Sequence, residues 1–169
     1  MTTRIMLILA ALFAAACTVT PPATAPPAAT GGQVGPVPAQ IQVWDGAAMR
    51  TYAPGEAPFA PLSTALTELL GQVGERARTF YTPQRFREEI TARPYVLAEY
   101  DAQVTVTGKG LSFPARSLVV TLVDEELLLL AQAEPDGDWS VYLPSEPDAT
   151  SRFIAAVREA TGVDLAGAK

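Results

Sequence analysis

A side chain that does chemistry near neutral pH must exchange a proton readily, attack as a nucleophile or hold a metal. This chain is short of all three kinds. Its 169 residues contain no histidine, and Cys17 is the only cysteine. The usual base near pH 7 and the commonest metal ligand are therefore missing, as is any thiol nucleophile beyond position 17. The serines, among them Ser63, Ser112, Ser117, Ser140 and Ser151, stand in no Gly-x-Ser-x-Gly elbow and have no histidine partner, which excludes a Ser-His-Asp hydrolase. A Ser-Lys dyad would have to use Lys109, in a Gly-Lys-Gly turn, or Lys169, the last residue. No phosphate loop or dinucleotide fingerprint is present.

What remains is carboxylates and aromatics. Glu99 and Asp101 lie two apart in a strand-like run, and paired carboxylates do acid–base work when their surroundings separate their pKa values. A carboxylate-dependent hydrolase acting on glycans through Glu99 and Asp101 is therefore one expectation; an acidic, solvated strand face is the other. Glu134, Asp136 and Asp138 surround Gly137 but lack the ligand ladder and closing glutamate of a calcium loop, so they read as a hairpin turn. No metal and no other cofactor is expected. Tyr95, Tyr142 and Trp139 would form a recognition patch if they shared an uncovered sheet face; cross-strand packing is the competing reading.

The elements that must position these residues follow from the pattern of apolar side chains. Ile41–Trp44 and Ala47–Tyr52 flank Asp45-Gly46, a hairpin signal. Leu62, Leu66, Leu69, Leu70 and Val73 share one helical stripe, with Pro61 in the first turn, predicting a helix that ends near Arg76. Thr82-Pro83 opens a second, short helix to about Thr91. From Tyr95 to Thr107 the alternation puts Val96, Ala98, Tyr100, Val104 and Val106 on one face and Tyr95, Leu97, Glu99 and Asp101 on the other. Three more strands are expected at 118–123, 127–133 and 139–143. A capping box at Ser145–Asp148 should open a last helix, closed by Gly162. Short links between strands require antiparallel pairing. The fold class expected is α+β: a mainly antiparallel sheet with helices packed on one face, forming a single domain over 40–165.

Upstream of the domain the chain changes character. Thr18–Ala39 is built from Pro, Ala, Thr and Gly with no charge and reads as a disordered tether. Before it, Arg4 supplies a basic start, residues 5–16 are unbroken apolar, and Ala14, Ala15 and Ala16 precede Cys17. This is the layout of a secretory signal peptide over 1–16, too short to cross a bilayer that needs about 20 residues. Leu12-Phe13-Ala14-Ala15-Ala16-Cys17 resembles the lipobox of bacterial lipoproteins, with Ala14 where that family usually has Leu, Val or Ile. The resemblance covers about the first tenth of the chain. It implies cleavage before Cys17, acylation of its thiol and anchoring in the cell membrane, the outer one in a diderm host.

The precursor's formal charge is -6, and removal of Arg4 leaves 11 basic against 18 acidic side chains. An acidic chain of this kind argues against nucleic acid and against electrostatic docking on anionic lipid. Taken together, the residues lead to a lipid-anchored, extracytoplasmic envelope protein. Its domain is expected to be non-enzymatic and to bind or support an envelope protein or cell-wall component; the Glu99/Asp101 hydrolase is the alternative expectation.

Overall fold

A computed structural model describes residues 35–166. The expected signal peptide, Cys17 and most of the expected tether lie outside the described residues.

The hairpin signal at Asp45-Gly46 is realised by β1 (Gln40–Trp44) and β2 (Met49–Tyr52). Asp45 Oδ1 closes the turn by accepting from the backbone N–H of Ala47 and Ala48, at 2.8 and 2.7 Å. Helix α1 (Phe59–Gly71) follows, burying Leu62, Leu66, Leu69 and Leu70. The chain leaves the helix after Gly71, short of the expected end near Arg76, and Val73–Tyr81 forms strand β3. Two glycines within four residues, each about 1 kcal/mol poorer than alanine in a helix, favour that exit. Past Val73 only Ala77 and Phe80 would extend the helical stripe, and Phe80 is 53% exposed.

Helix α2 (Pro83–Glu89) is capped by Thr82, whose hydroxyl accepts from the Arg85 N–H. Strands β4 (Tyr95–Thr107), β5 (Ser112–Val123), β6 (Glu126–Gln132) and β7 (Trp139–Pro144) then form a meander. The last element is α3 (Pro147–Thr161), closed by Gly162 at φ 76°. The capping box expected at Ser145 does not form: Glu146 is the N-cap and makes no side-chain cap. The Ser145 N–H donates to the Gln72 carbonyl instead, and Glu146 pairs with Lys109 at 3.4 Å.

The fold is α+β, with seven antiparallel strands in the order β2-β1-β4-β5-β6-β7-β3. Period-two alternation gives the sheet two apolar faces. Ile41, Val43, Val96, Leu118, Val120, Leu129 and Tyr142 pack under α1 and α3. Tyr95, Val119, Leu128, Leu130, Trp139 and Val141 form a second cluster on the other face with Tyr81, Ile90 and Phe86. Phe86 and Ile90 are four apart and so share one side of α2. The outer face is therefore covered over part of its area by the β3–α2 segment.

Both sheet edges are blunted. β2 has four residues, and β3 slips register between Arg76 and Phe80, so that residues 77–79 stand off β7. A further register shift between Glu99 and Val104 bends the β4–β5 hairpin. Its tip lands where α1 passes into β3: the Lys109 N–H donates to the Val73 carbonyl at 2.6 Å, and Phe113 stacks on Tyr142 with centroids 3.9 Å apart.

The chain joins the domain slightly before the change of composition at Gln40. Pro38 is buried, Gly35 lies against Thr67 of α1, and the Ala39 N–H donates to the Glu99 carbonyl at 2.7 Å. No helix among the described residues is long and apolar enough to cross a membrane.

Candidate functional site

Glu99 and Asp101 both come from β4. The two side-chain amides of Gln40 and Gln42 donate to the same Glu99 oxygen, Oε2, the latter at 3.0 Å, while Asp101 is exposed. Both border an open hollow of about 480 Å³ with Arg116 and Ser117. Among the described residues no acid from another element lines that hollow. A glycosidase pair must flank the scissile bond from opposite sides. Two carboxylates on one strand, one of them held by two amides, do not supply that arrangement.

The aromatic patch does not assemble. Tyr95, Trp139 and Tyr142 are 8, 7 and 4% exposed, and they divide between the two faces. Trp139 is covered by Phe86, whose ring stacks on it at 4.4 Å and 9°. Tyr142 lies on the α1/α3 face against Phe113. Neighbours in a strand point to opposite faces, and positions 139 and 142, three apart, cannot share one. These three side chains are core. The loop around Gly137 is a turn: the Gly137 N–H donates to the Glu134 carbonyl, and Gln132 Nε2 donates to the Gly137 carbonyl. Among the described residues no group of three or more His, Cys, Asp or Glu is placed to hold a metal ion.

A larger concavity lies at the end of the strands where β5 turns into β6. A cleft of about 540 Å³ has an apolar floor of Leu122, Ile154 and Leu165 and a rim carrying Asp124, Glu125, Arg93 and Ser151. Its walls come from elements far apart in sequence. Ile90, fully buried, anchors the end of α2, and the buried Thr121 hydroxyl donates to the Pro94 carbonyl at 2.9 Å, fixing the linker that brings Arg93 to the rim. Glu125 also borders a second hollow of about 360 Å³ beside Pro144 and Glu146, so it stands between the two.

The rim turn is strained. Asp124 and Glu125 form the whole two-residue loop between Val123 and Glu126, with φ of 52° and 70°. A two-residue hairpin loop with both φ positive is the geometry that Asn-Gly fills at least cost. A glutamate there is conformationally unfavourable, and such outliers cluster where the side chain is used. Arg93 is the cation of the rim, and it also helps hold the Glu89 carboxyl below the usual carboxylate range, after the larger effect of the Arg85 hydrogen bond.

Two tyrosines away from the cleft are perturbed. Burial raises the pKa of Tyr95, and it pushes that of Tyr100 up to about 12. The Tyr100 hydroxyl is buried without a hydrogen-bond partner among the described residues.

Sequence reasoning missed the cleft. Asp124-Glu125 reads only as a break between two apolar runs, although two acidic residues where a tight turn prefers Asn-Gly were the available signal. No family model, no curated protein and no solved structure matches this chain.

Proposed function

We propose that this chain is a lipid-anchored extracytoplasmic protein whose domain binds an envelope partner through the cleft between the β5–β6 turn and α3. The observation that carries the reading is the strained Asp124-Glu125 turn at the rim of an apolar-floored cleft. An apolar floor supplies affinity, and a few rim charges supply orientation. Two rim acids against one arginine favour a partner that presents an apolar side chain next to a basic group. Attachment rests on the lipobox-like run ending at Cys17; two or more acyl chains hold a protein stably where one does not.

The hydrolase reading is the weaker one, because Glu99 and Asp101 come from one strand and Glu99 is held by the amides of Gln40 and Gln42.

The test is site-specific photo-crosslinking in cells. A crosslinker at Ser151 should trap one dominant adduct, while one at Arg116, which lines the hollow of Glu99 and Asp101, traps none. Equal trapping at both positions, or trapping only at Arg116, contradicts the cleft. The anchor is tested separately by the mass of the N-terminal peptide. Lipid on Cys17 supports it, and an unmodified chain starting downstream of Cys17 overturns it.

A further inference from the structure

The net acidity of the chain conceals a local reversal. From Arg76 to Arg87 the sequence is RARTFYTPQRFR, with four arginines and no acid. The fold lays this stretch along the β3 edge and over the outer face as α2. All four arginines are exposed, and Phe80 among them is 53% exposed, the most exposed large apolar ring among the described residues. The bulge at 77–79 lifts Arg78 off the ladder next to Phe80.

The neighbouring acids offset part of this charge: Glu89 pairs with Arg85 at 2.7 Å, while Glu88, accepting from the neutral Gln84 amide, keeps its own, so four arginines against Glu75, Glu88 and Glu89 leave a local excess of one positive charge. Arg85 also lies over the Tyr81 ring, 4.4 Å from its centroid. Arg76 donates to Ser140 Oγ. Arg78 and Arg87 have no ion pair among the described residues.

We propose that the Arg76–Arg87 surface docks on anionic phospholipid, with Phe80 entering the headgroup boundary and Arg78 and Arg87 binding phosphates. Charge complementarity names an anionic partner. The exposed ring selects a bilayer over a soluble polyanion, because only the bilayer offers an apolar layer beneath its charges. This rests on the lipid-anchored reading only for proximity: the tether read from the sequence keeps the domain near a membrane but does not decide which face meets it. Tyr81 and Trp139 pair at the strand ends remote from the Asp124-Glu125 turn, so Phe80 lies at the opposite end of the sheet from that turn.

The experiment uses the chain from Thr18 onward, which carries no acylated cysteine, so the state of Cys17 cannot affect it. Binding is measured by co-sedimentation with vesicles of phosphatidylcholine alone and of phosphatidylcholine mixed with phosphatidylglycerol. The wild type should sediment with the mixed vesicles and not with phosphatidylcholine alone, and added salt should release it. Each arginine near a charged bilayer is worth about a fivefold change in binding, so Arg78→Gln with Arg87→Gln should weaken it about 25-fold. Phe80→Ser should weaken it several-fold, and Arg152→Gln on α3 should leave it unchanged. Absent binding to the mixed vesicles, or equal loss with Arg152→Gln, overturns the proposal. Binding to soluble heparin but not to vesicles also overturns it, in favour of a polyanion.

Discussion

Gly108 offers a sharp test of the packing that bends the β4–β5 hairpin over α1. A Cβ added there would lie 2.3 Å from the Val73 carbonyl oxygen and 2.9 Å from that of Leu70, both of them backbone. Carbon and oxygen approach to about 3.3 Å at closest, so Gly108→Ala must push the hairpin tip away by about 1 Å. That displacement breaks the 2.6 Å hydrogen bond from the Lys109 N–H to the Val73 carbonyl and loosens the Phe113–Tyr142 stack. A lost backbone hydrogen bond with a stranded carbonyl costs about 1–3 kcal/mol, and a disturbed aromatic pair about 1 kcal/mol. The expected destabilisation is therefore about 2–4 kcal/mol, or a fall in Tm on the order of 10 °C. Urea and thermal unfolding followed by circular dichroism measure it. Gly71→Ala is the control: it meets nothing within 4 Å near the end of α1 and should be neutral or stabilising by up to about 1 kcal/mol. A Gly108→Ala variant within about 0.5 kcal/mol of wild type would refute the close approach on which the bend is argued.

Two further outcomes concern titration. Tyr100→Phe removes a buried hydroxyl that has no hydrogen-bond partner among the described residues and should be neutral or stabilising by about 1 kcal/mol in urea unfolding at neutral pH. Because the folded pKa is raised, the tyrosine's contribution is intact below its ordinary value of 10.0 and is lost as pH rises toward about 12; the phenylalanine variant should lose less stability over that window, and equal loss would show that another group dominates. The backbone N–H of Ala48, then that of Ala47, and Arg50 lower the Asp45 pKa, so its contribution is present above the ordinary value of 3.8 and disappears as pH falls through the lowered one. Asp45→Ala should therefore weaken the domain at neutral pH and converge with wild type in acid; a gap between the two melting curves that persists in acid would contradict this.

Much of the architecture was legible because it depends on periodicity. Leu62, Leu66 and Leu69 mark α1, the alternation from Tyr95 marks β4, and Asp45-Gly46 marks the first hairpin. β3 was not legible: Val73 continues the α1 stripe, and GERARTF has no alternating apolar face, since an edge strand with a bulge buries little on either side. The aromatic residues misled for a related reason. The outer face is half apolar in sequence, but what covers it, Phe86 and Ile90, comes from a seven-residue helix and its C-cap, whose docking partner is not local. The cleft is hidden more deeply, because Arg93, Leu122, Asp124 and Ile154 meet only through tertiary packing. Net charge likewise hid the arginines between 76 and 87.

The most direct test of the cleft is to relieve its strain. Asp124→Asn with Glu125→Gly installs the turn that both positive φ values suit, and it removes the two acids from the rim. Relieving one or two left-handed residues should raise stability by about 1 kcal/mol, read as a higher Tm. In the same protein, photo-crosslinking from Ser151 should fall several-fold, whereas Glu99→Gln with Asp101→Asn leaves it unchanged. A domain that becomes more stable while losing its adduct is the result this account predicts. A stabilised domain that captures its partner as before, together with loss of capture in the Glu99/Asp101 variant, would contradict it.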